Sequence, residues 1–178
     1  MPKAKNSKPK IMNLDLVTRG SNILIRQDNI SKICEVLLEI LADEFKLYNK
    51  TQNAHLDFEE SNFYSMHSLF EAQYYNYNYI SETVGKFIEQ IKLAGHFMPE
   101  LFIHDFEFSQ INNQSNHDDG NIGSIRELIS DHVTITMKIR IKIRYVEEEL
   151  KETGIKSWLI GWAENHEKTA YLLSQNLT

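Results

Sequence analysis

Between Asn29 and Leu56 the apolar residues Ile33, Leu37, Ile40, Leu41, Phe45 and Tyr48 return at steps of three and four, with Glu35, Glu39, Asp43 and Lys46 between them. That period marks one face of an α-helix, so the segment predicts a long amphipathic helix. A second set starts after Asn62, a residue of the N-cap type, and runs through Phe63, Met66, Phe70, Tyr74, Tyr77, Val84, Ile88 and Ile91 to a stop at Ala94-Gly95. Residues 96–123 break the pattern with Pro99, Asn112-Asn113, Asn116 and Asp118-Asp119-Gly120, and read as one long connection with room for a short helix over 100–110. Ser124 and Glu127 have the spacing of a capping box, which predicts a third helix ending at Thr153-Gly154. A fourth runs from about Ser157 to Asn176, with Trp158, Trp162, Ala163, Ala170 and Leu173 near one stripe.

One stretch objects. Val133, Ile135, Met137, Ile139, Ile141, Ile143 and Tyr145 alternate with Thr134, Thr136, Lys138, Arg140, Lys142 and Arg144, the period of a strand. A lone strand has no partner elsewhere in the chain, and this one would lie between a good N-cap and a helix-forming EEELKE run, so the expectation is helix. On a helix the four basic residues scatter around the axis, which removes a basic stripe for nucleic acid. Four long helices with one long crossover between the second and third describe an all-α four-helix bundle of ferritin-like connectivity.

Composition agrees with a single globular domain: of 178 residues 42% are hydrophobic and 25% charged, with only 7 Gly and 3 Pro. No run approaches the roughly 18 apolar residues of a membrane span, and no apolar segment follows the N-terminal lysines, which predicts a cytoplasmic chain. The one cysteine, Cys34, lies among Ile30, Ile33, Leu37 and Leu38 and reads as a small buried hydrophobe. The net charge of −6 hides an asymmetry, since Lys3, Lys5, Lys8 and Lys10 all precede the first acidic residue, Asp15. Residues 1–20 therefore read as a flexible basic tail on an acidic body, residues 21–178. Such a tail suits sequence-independent, salt-sensitive contact with DNA phosphates.

The chemistry-bearing residues cluster around the first turn. His55 and His67 flank it, and Glu71 follows His67 by four residues on the same helical face. Imidazole nitrogen with carboxylate oxygen suits iron, zinc or manganese. His96, His104, His117 and His132 read as structural or loop residues, and the Tyr74, Tyr75, Tyr77 and Tyr79 group as helix packing.

The segment from His55 to Tyr74 resembles the signature of the Dps mini-ferritins, the DNA-protecting ferritins of starved bacteria. It has two histidines twelve residues apart, Asn62-Phe63 before the second, and an acidic residue four positions after it. Glu164-Asn-His-Glu-Lys-Thr-Ala-Tyr-Leu-Leu173 looks like that family's closing helix, and Glu127-Leu-Ile-Ser-Asp-His132 with Glu147-Glu-Glu like its third. The resemblance covers about residues 28–178. It implies a cytoplasmic subunit of a hollow homo-dodecamer, nucleoid-associated where its tail binds DNA, that oxidises Fe(II) with hydrogen peroxide and stores the Fe(III) mineral: a ferroxidase. The implied iron site lies between subunits, with His55, His67 and Glu71 from one and Glu82 from its neighbour, and the tail lysines Lys3, Lys5, Lys8 and Lys10 are the implied DNA contacts. Three positions depart from the family: Lys86 stands at the bridging glutamate, with Glu89 three residues on, Leu56 at the usual tryptophan and Glu60 at a glycine. These departures define the alternative, a non-enzymatic DNA-binding cage with a degenerate iron centre.

Overall fold

A computed structural model of the protein describes residues 25–57, 63–93 and 120–177. A short 3-10 turn, Gln27–Asn29, leads into four long helices: α1 (Ile30–Asp57), α2 (Phe63–Leu93), α3 (Gly120–Tyr145) and α4 (Thr153–Ser174). α1 packs on α2 and α3, and α3 on α4, while α2 also touches α4, so the described helices close into the expected four-helix bundle. The expected helix at 100–110, the basic tail and the boundary at residue 20 lie outside the described residues, as do His96, His104 and His117.

Each helix turns a seam of alternating three- and four-residue steps into the core. On α1 the buried line is Ile33, Leu37, Ile40, Glu44, Leu47, Thr51 and Ala54. On α2 it is Met66, Phe70, Gln73, Ile80, Val84 and Phe87; on α3, Ile125, Leu128, His132, Ile135 and Ile139; on α4, Ile155, Leu159, Trp162, His166 and Leu173. This heptad-like spacing is what near-antiparallel bundle packing requires. All four seams break the apolar pattern once or twice with a polar residue: Glu44 and Thr51, Gln73, His132, and His166.

The strand-like stretch is helical. Ile135 and Ile139, one turn apart, are fully buried, whereas Val133, Met137 and Ile141 form a second apolar stripe that faces outward and is exposed. An apolar residue on both sides of one helix is what imitates a strand period. The basic residues between them are largely consumed by acids: Lys138 Nζ bonds Asp43 at 2.7 Å, Lys142 bonds Glu39 at 2.6 Å, and Arg140 bonds Glu167 at 2.6 Å.

Both ends of α3 differ from expectation. The helix begins at Gly120, one turn before the capping-box serine, so Ser124 lies inside it. At the other end Val146–Leu150 widens into a π-helical turn, which brings Val146 and Leu150 both into the core. The chain then reverses at Lys151, with φ 58°, and the Glu152 amide closes on the Val146 carbonyl at 3.2 Å. Thr153-Gly154 is therefore the first turn of α4 and not the stop of α3. Asn29 ties the entry of the chain to this corner: its Nδ2 donates to the Leu150 carbonyl at 2.9 Å and to Glu152 at 2.8 Å.

Of the tyrosines expected to pack between helices, Tyr74 and Tyr77 are half-buried, whereas Tyr75 and Tyr79 face outward and are exposed. Cys34 is fully buried, and burial pushes its thiol up to about 11, an unreactive value. Trp162 is buried, and Trp158 packs edge-on against Phe87 with ring centroids 5.9 Å apart.

Candidate metal centre

His55 sits in the last turn of α1 and His67 in the second turn of α2, so the α1–α2 hairpin folds them face to face. His55 Nε2 meets His67 Nδ1, and the rings stand edge-on with centroids 3.9 Å apart. Phe70 and Tyr74 form the wall behind His55, at centroid distances of 5.8 and 5.6 Å. The far nitrogen of His55, Nδ1, lies 2.8 Å from the Tyr74 hydroxyl, which is also 3.5 Å from the Thr51 carbonyl. Both rings are half-buried, and Glu71 is exposed one turn beyond His67.

The electrostatics favour a neutral His55. Burial, with His67 beside it, lowers the His55 pKa, and Glu71 opposes that shift. Burial, with Tyr48 and Glu71 nearby, pushes the Tyr74 phenol up to about 12, so its proton stays in place. When the Tyr74 hydroxyl donates to the Thr51 carbonyl, it accepts from His55 Nδ1–H and leaves the Nε2 lone pair turned toward His67. A second group fixing the tautomer in this way is the usual support of a metal-binding imidazole. Two imidazoles and a carboxylate one turn away are a donor set that iron accepts.

The site is incomplete among the described residues of one chain. Among the described residues no three His, Cys, Asp or Glu side chains are grouped to hold a metal ion. Glu82 lies 15 positions beyond His67 on α2, about 22 Å along the axis, so it cannot reach these histidines in its own chain. It is exposed and paired with Lys86 at 2.5 Å, and that ammonium lowers its pKa. Leu56, beside His55, is 82% exposed. Lys3, Lys5, Lys8 and Lys10 lie outside the described residues.

A second histidine pair occupies the bundle centre: His132, expected as a structural residue, and His166, which no motif singles out. His132 Nδ1 and His166 Nδ1 are 2.9 Å apart, His166 Nε2 lies 2.5 Å from Glu44, and His132 Nε2 lies 2.9 Å from Gln73 Oε1. The Thr51 hydroxyl donates to the same Gln73 oxygen at 3.3 Å. Glu44, Thr51, His132 and His166 are at most 2% exposed, and Gln73 is 9%. The signal that could have found them is a polar residue at a seam position, where the three-four period calls for an apolar one.

With fold and geometry in hand, comparison gives the class. A family model described as the ferritin-like domain matches residues 34–178, and the chain belongs to that family. Among solved structures it is similar to DpsC from Streptomyces coelicolor, with a TM-score of 0.71, 16% identity and coverage of 92% of this chain and 94% of that one. It is also similar to a Dps protein from Vibrio cholerae O1, described as a member of a broad superfamily of ferritin-like diiron-carboxylate proteins, with a TM-score of 0.67 at 18% identity over 89% and 96% of the two chains. The fold is thus that of the Dps mini-ferritins. A relative in sequence is an uncharacterized low temperature-induced protein of a Nostoc species, 22% identical over 152 residues, 85% of this chain and 83% of the relative.

Proposed function

We propose that the protein sequesters iron and oxidises Fe(II) with hydrogen peroxide at a site completed by a second subunit. The observation that carries this reading is the facing pair His55 Nε2 and His67 Nδ1, backed by Tyr74, with no third metal-binding side chain grouped closely with it among the described residues. Glu71 beside the pair and Glu82 from a neighbouring copy supply the carboxylates. Two Fe(II) ions give two electrons to one peroxide, which takes two protons and leaves as two waters; hydrolysis of Fe(III) then releases protons and deposits mineral. Consuming Fe(II) and peroxide together removes the reactants that damage DNA.

Subunit packing is supported by exposed apolar residues that a lone bundle leaves in water, Tyr64 and Tyr75 on α2 and Val133, Met137 and Ile141 on α3. A homo-dodecamer is the assembly we assign, in the cytoplasm, with the lysines of residues 1–20 as non-specific DNA contacts. Among the described residues no helix is long and apolar enough to cross a membrane.

A second reading is favoured by the Glu82–Lys86 pair. A cation already held at the carboxylate repels a divalent ion, which describes a DNA-binding cage with a degenerate iron centre. The deciding experiment adds peroxide to anaerobic protein loaded with Fe(II) and follows Fe(III) absorbance beside a His55→Ala/His67→Ala variant. Rapid oxidation lost in the variant supports the first reading; equal, slow rates in both mean a degenerate centre and favour the second.

A further inference from the structure

The bundle centre contains more acceptors than two neutral imidazoles can serve. Glu44 offers a carboxylate to His166 Nε2 at 2.5 Å, and Gln73 offers its amide oxygen to His132 Nε2 at 2.9 Å. The Gln73 orientation is set independently, because its Nε2 donates to the Leu69 carbonyl at 3.4 Å and its oxygen accepts from Thr51. A neutral imidazole carries one N–H, and here each ring spends it on its outer nitrogen. Both Nδ1 atoms would then present lone pairs to each other across 2.9 Å, a hydrogen-bond distance, in a sealed interior.

We infer that Glu44, His166 and His132 together bind one extra proton, held between the two Nδ1 atoms, and that this proton locks the four helices to one another. The count does not depend on where the protons sit. A Glu44 carboxylate with a His166 imidazolium, and a protonated Glu44 with a neutral His166, both leave one N–H between the rings and a triad of zero net charge. Zero net charge is what a buried site demands. Burial and the adjacent His166 hold the His132 pKa well below its usual value, so His132 is the partner that accepts.

Other charged groups around the triad have their own partners. From α1, Lys50 is held by Glu127 and Asp131 of α3 at 2.7 and 2.8 Å, and Asp43 by Lys138 of α3. Burial pushes the Asp131 carboxyl up, against Lys50. From α2, Tyr77 has its phenol pushed up by burial, with Tyr48 and Glu44 adding to the shift and Ser81 opposing it. From α4, Glu167 pairs with Arg140 on the exposed side. The hydrogen bonds do not form a proton wire to the metal centre, because the Gln73 oxygen accepts from both of its neighbours.

The consequence is a folding reaction that takes up a proton above pH 6.5. The unfolded histidines are then mostly neutral, whereas the folded triad keeps its extra proton. Stability falls as pH rises wherever the folded state binds more protons, by up to tenfold in the folding constant per pH unit. The full-length protein and a His132→Gln variant, whose side-chain amide can donate to His166 Nδ1 without an extra proton, are denatured at fixed protein concentration between pH 6.5 and 9. The inference expects the wild-type folding constant to lose up to tenfold per pH unit relative to the variant; parallel curves overturn it. Should the variant fail to fold, magic-angle-spinning NMR of wild type labelled with 15N-histidine decides. At pH 7.5 one Nδ1 of this pair and the His132 Nε2 are both expected to carry a proton; two unprotonated Nδ1 signals, or an unprotonated His132 Nε2, overturn the inference.

Discussion

His55 and His67 meet near the open end of the α1–α2 hairpin, half-buried, with the outer nitrogen of His55 backed by Tyr74. His132 and His166 meet in the sealed centre, with both outer nitrogens held by Glu44 and Gln73. The same side chains on the same kind of helix are thus given opposite roles by their surroundings. In the first pair, under the function proposed above, a metal ion would take the place between the rings. In the second the helices themselves fill every position, and only a proton fits between the rings.

The sharpest way to break this contrast is to remove one ring from each pair and compare. His132→Leu leaves Gln73 and the Glu44–His166 pair buried without their partner, and is expected to cost about 3–5 kcal/mol in denaturant unfolding. His55→Ala/His67→Ala is expected to change stability by no more than about 1 kcal/mol, yet to bring peroxide-driven iron oxidation down to the rate without protein. Equal stability losses in the two variants would erase the distinction.

Acid should find the buried pair as well. The folded pKa of His132 lies well below its unfolded value near 6.5, so its contribution is present above that value and is lost as pH falls. Unfolding midpoints are expected to decline below about pH 6.5, and the decline attributable to this group should vanish in His132→Gln.

Smaller effects sharpen the open site. Tyr74→Phe removes the hydrogen bond that fixes the His55 tautomer and is expected to weaken Fe(II) or Co(II) binding roughly 10- to 100-fold, read by titration, with the fold intact. Lys86→Gln frees the Glu82 carboxylate from an exposed ion pair, and is expected to raise metal affinity only about two- to fivefold. No change in Lys86→Gln would remove Glu82 from the metal site.

Much of the architecture was legible because it rests on periodicity. Ile33, Leu37 and Ile40 of α1 and Met66, Phe70 and Val84 of α2 lie on the seams that the apolar steps predict, whereas Phe45, Tyr48, Tyr74 and Tyr77 flank them half-buried. The stretch 133–145 is helical as expected, although its flanking cap and stop fall elsewhere. The end of α3 was not legible: a lysine takes the left-handed position at residue 151 where sequence points to Gly154, because the π-helical turn that buries Val146 and Leu150 is a tertiary effect. Within the candidate site, His55 and His67 were found from spacing and resemblance. Tyr74 was read only as packing, since a hydroxyl's partner depends on helix register. The Glu44–His166–His132–Gln73 chain draws one residue from each of four helices, so no local window contains it.

The hydrogen bonds of Asn29 to Leu150 and Glu152 also separate the molecule mechanically. Tension on the chain before Ile25 is passed at Asn29 to the α3–α4 corner. His55 lies 26 positions further along α1, about 39 Å away. The fastening is placed like the strain relief on a cable: a pull on the N-terminal segment would load the α3–α4 corner first, a full helix length from His55 and His67.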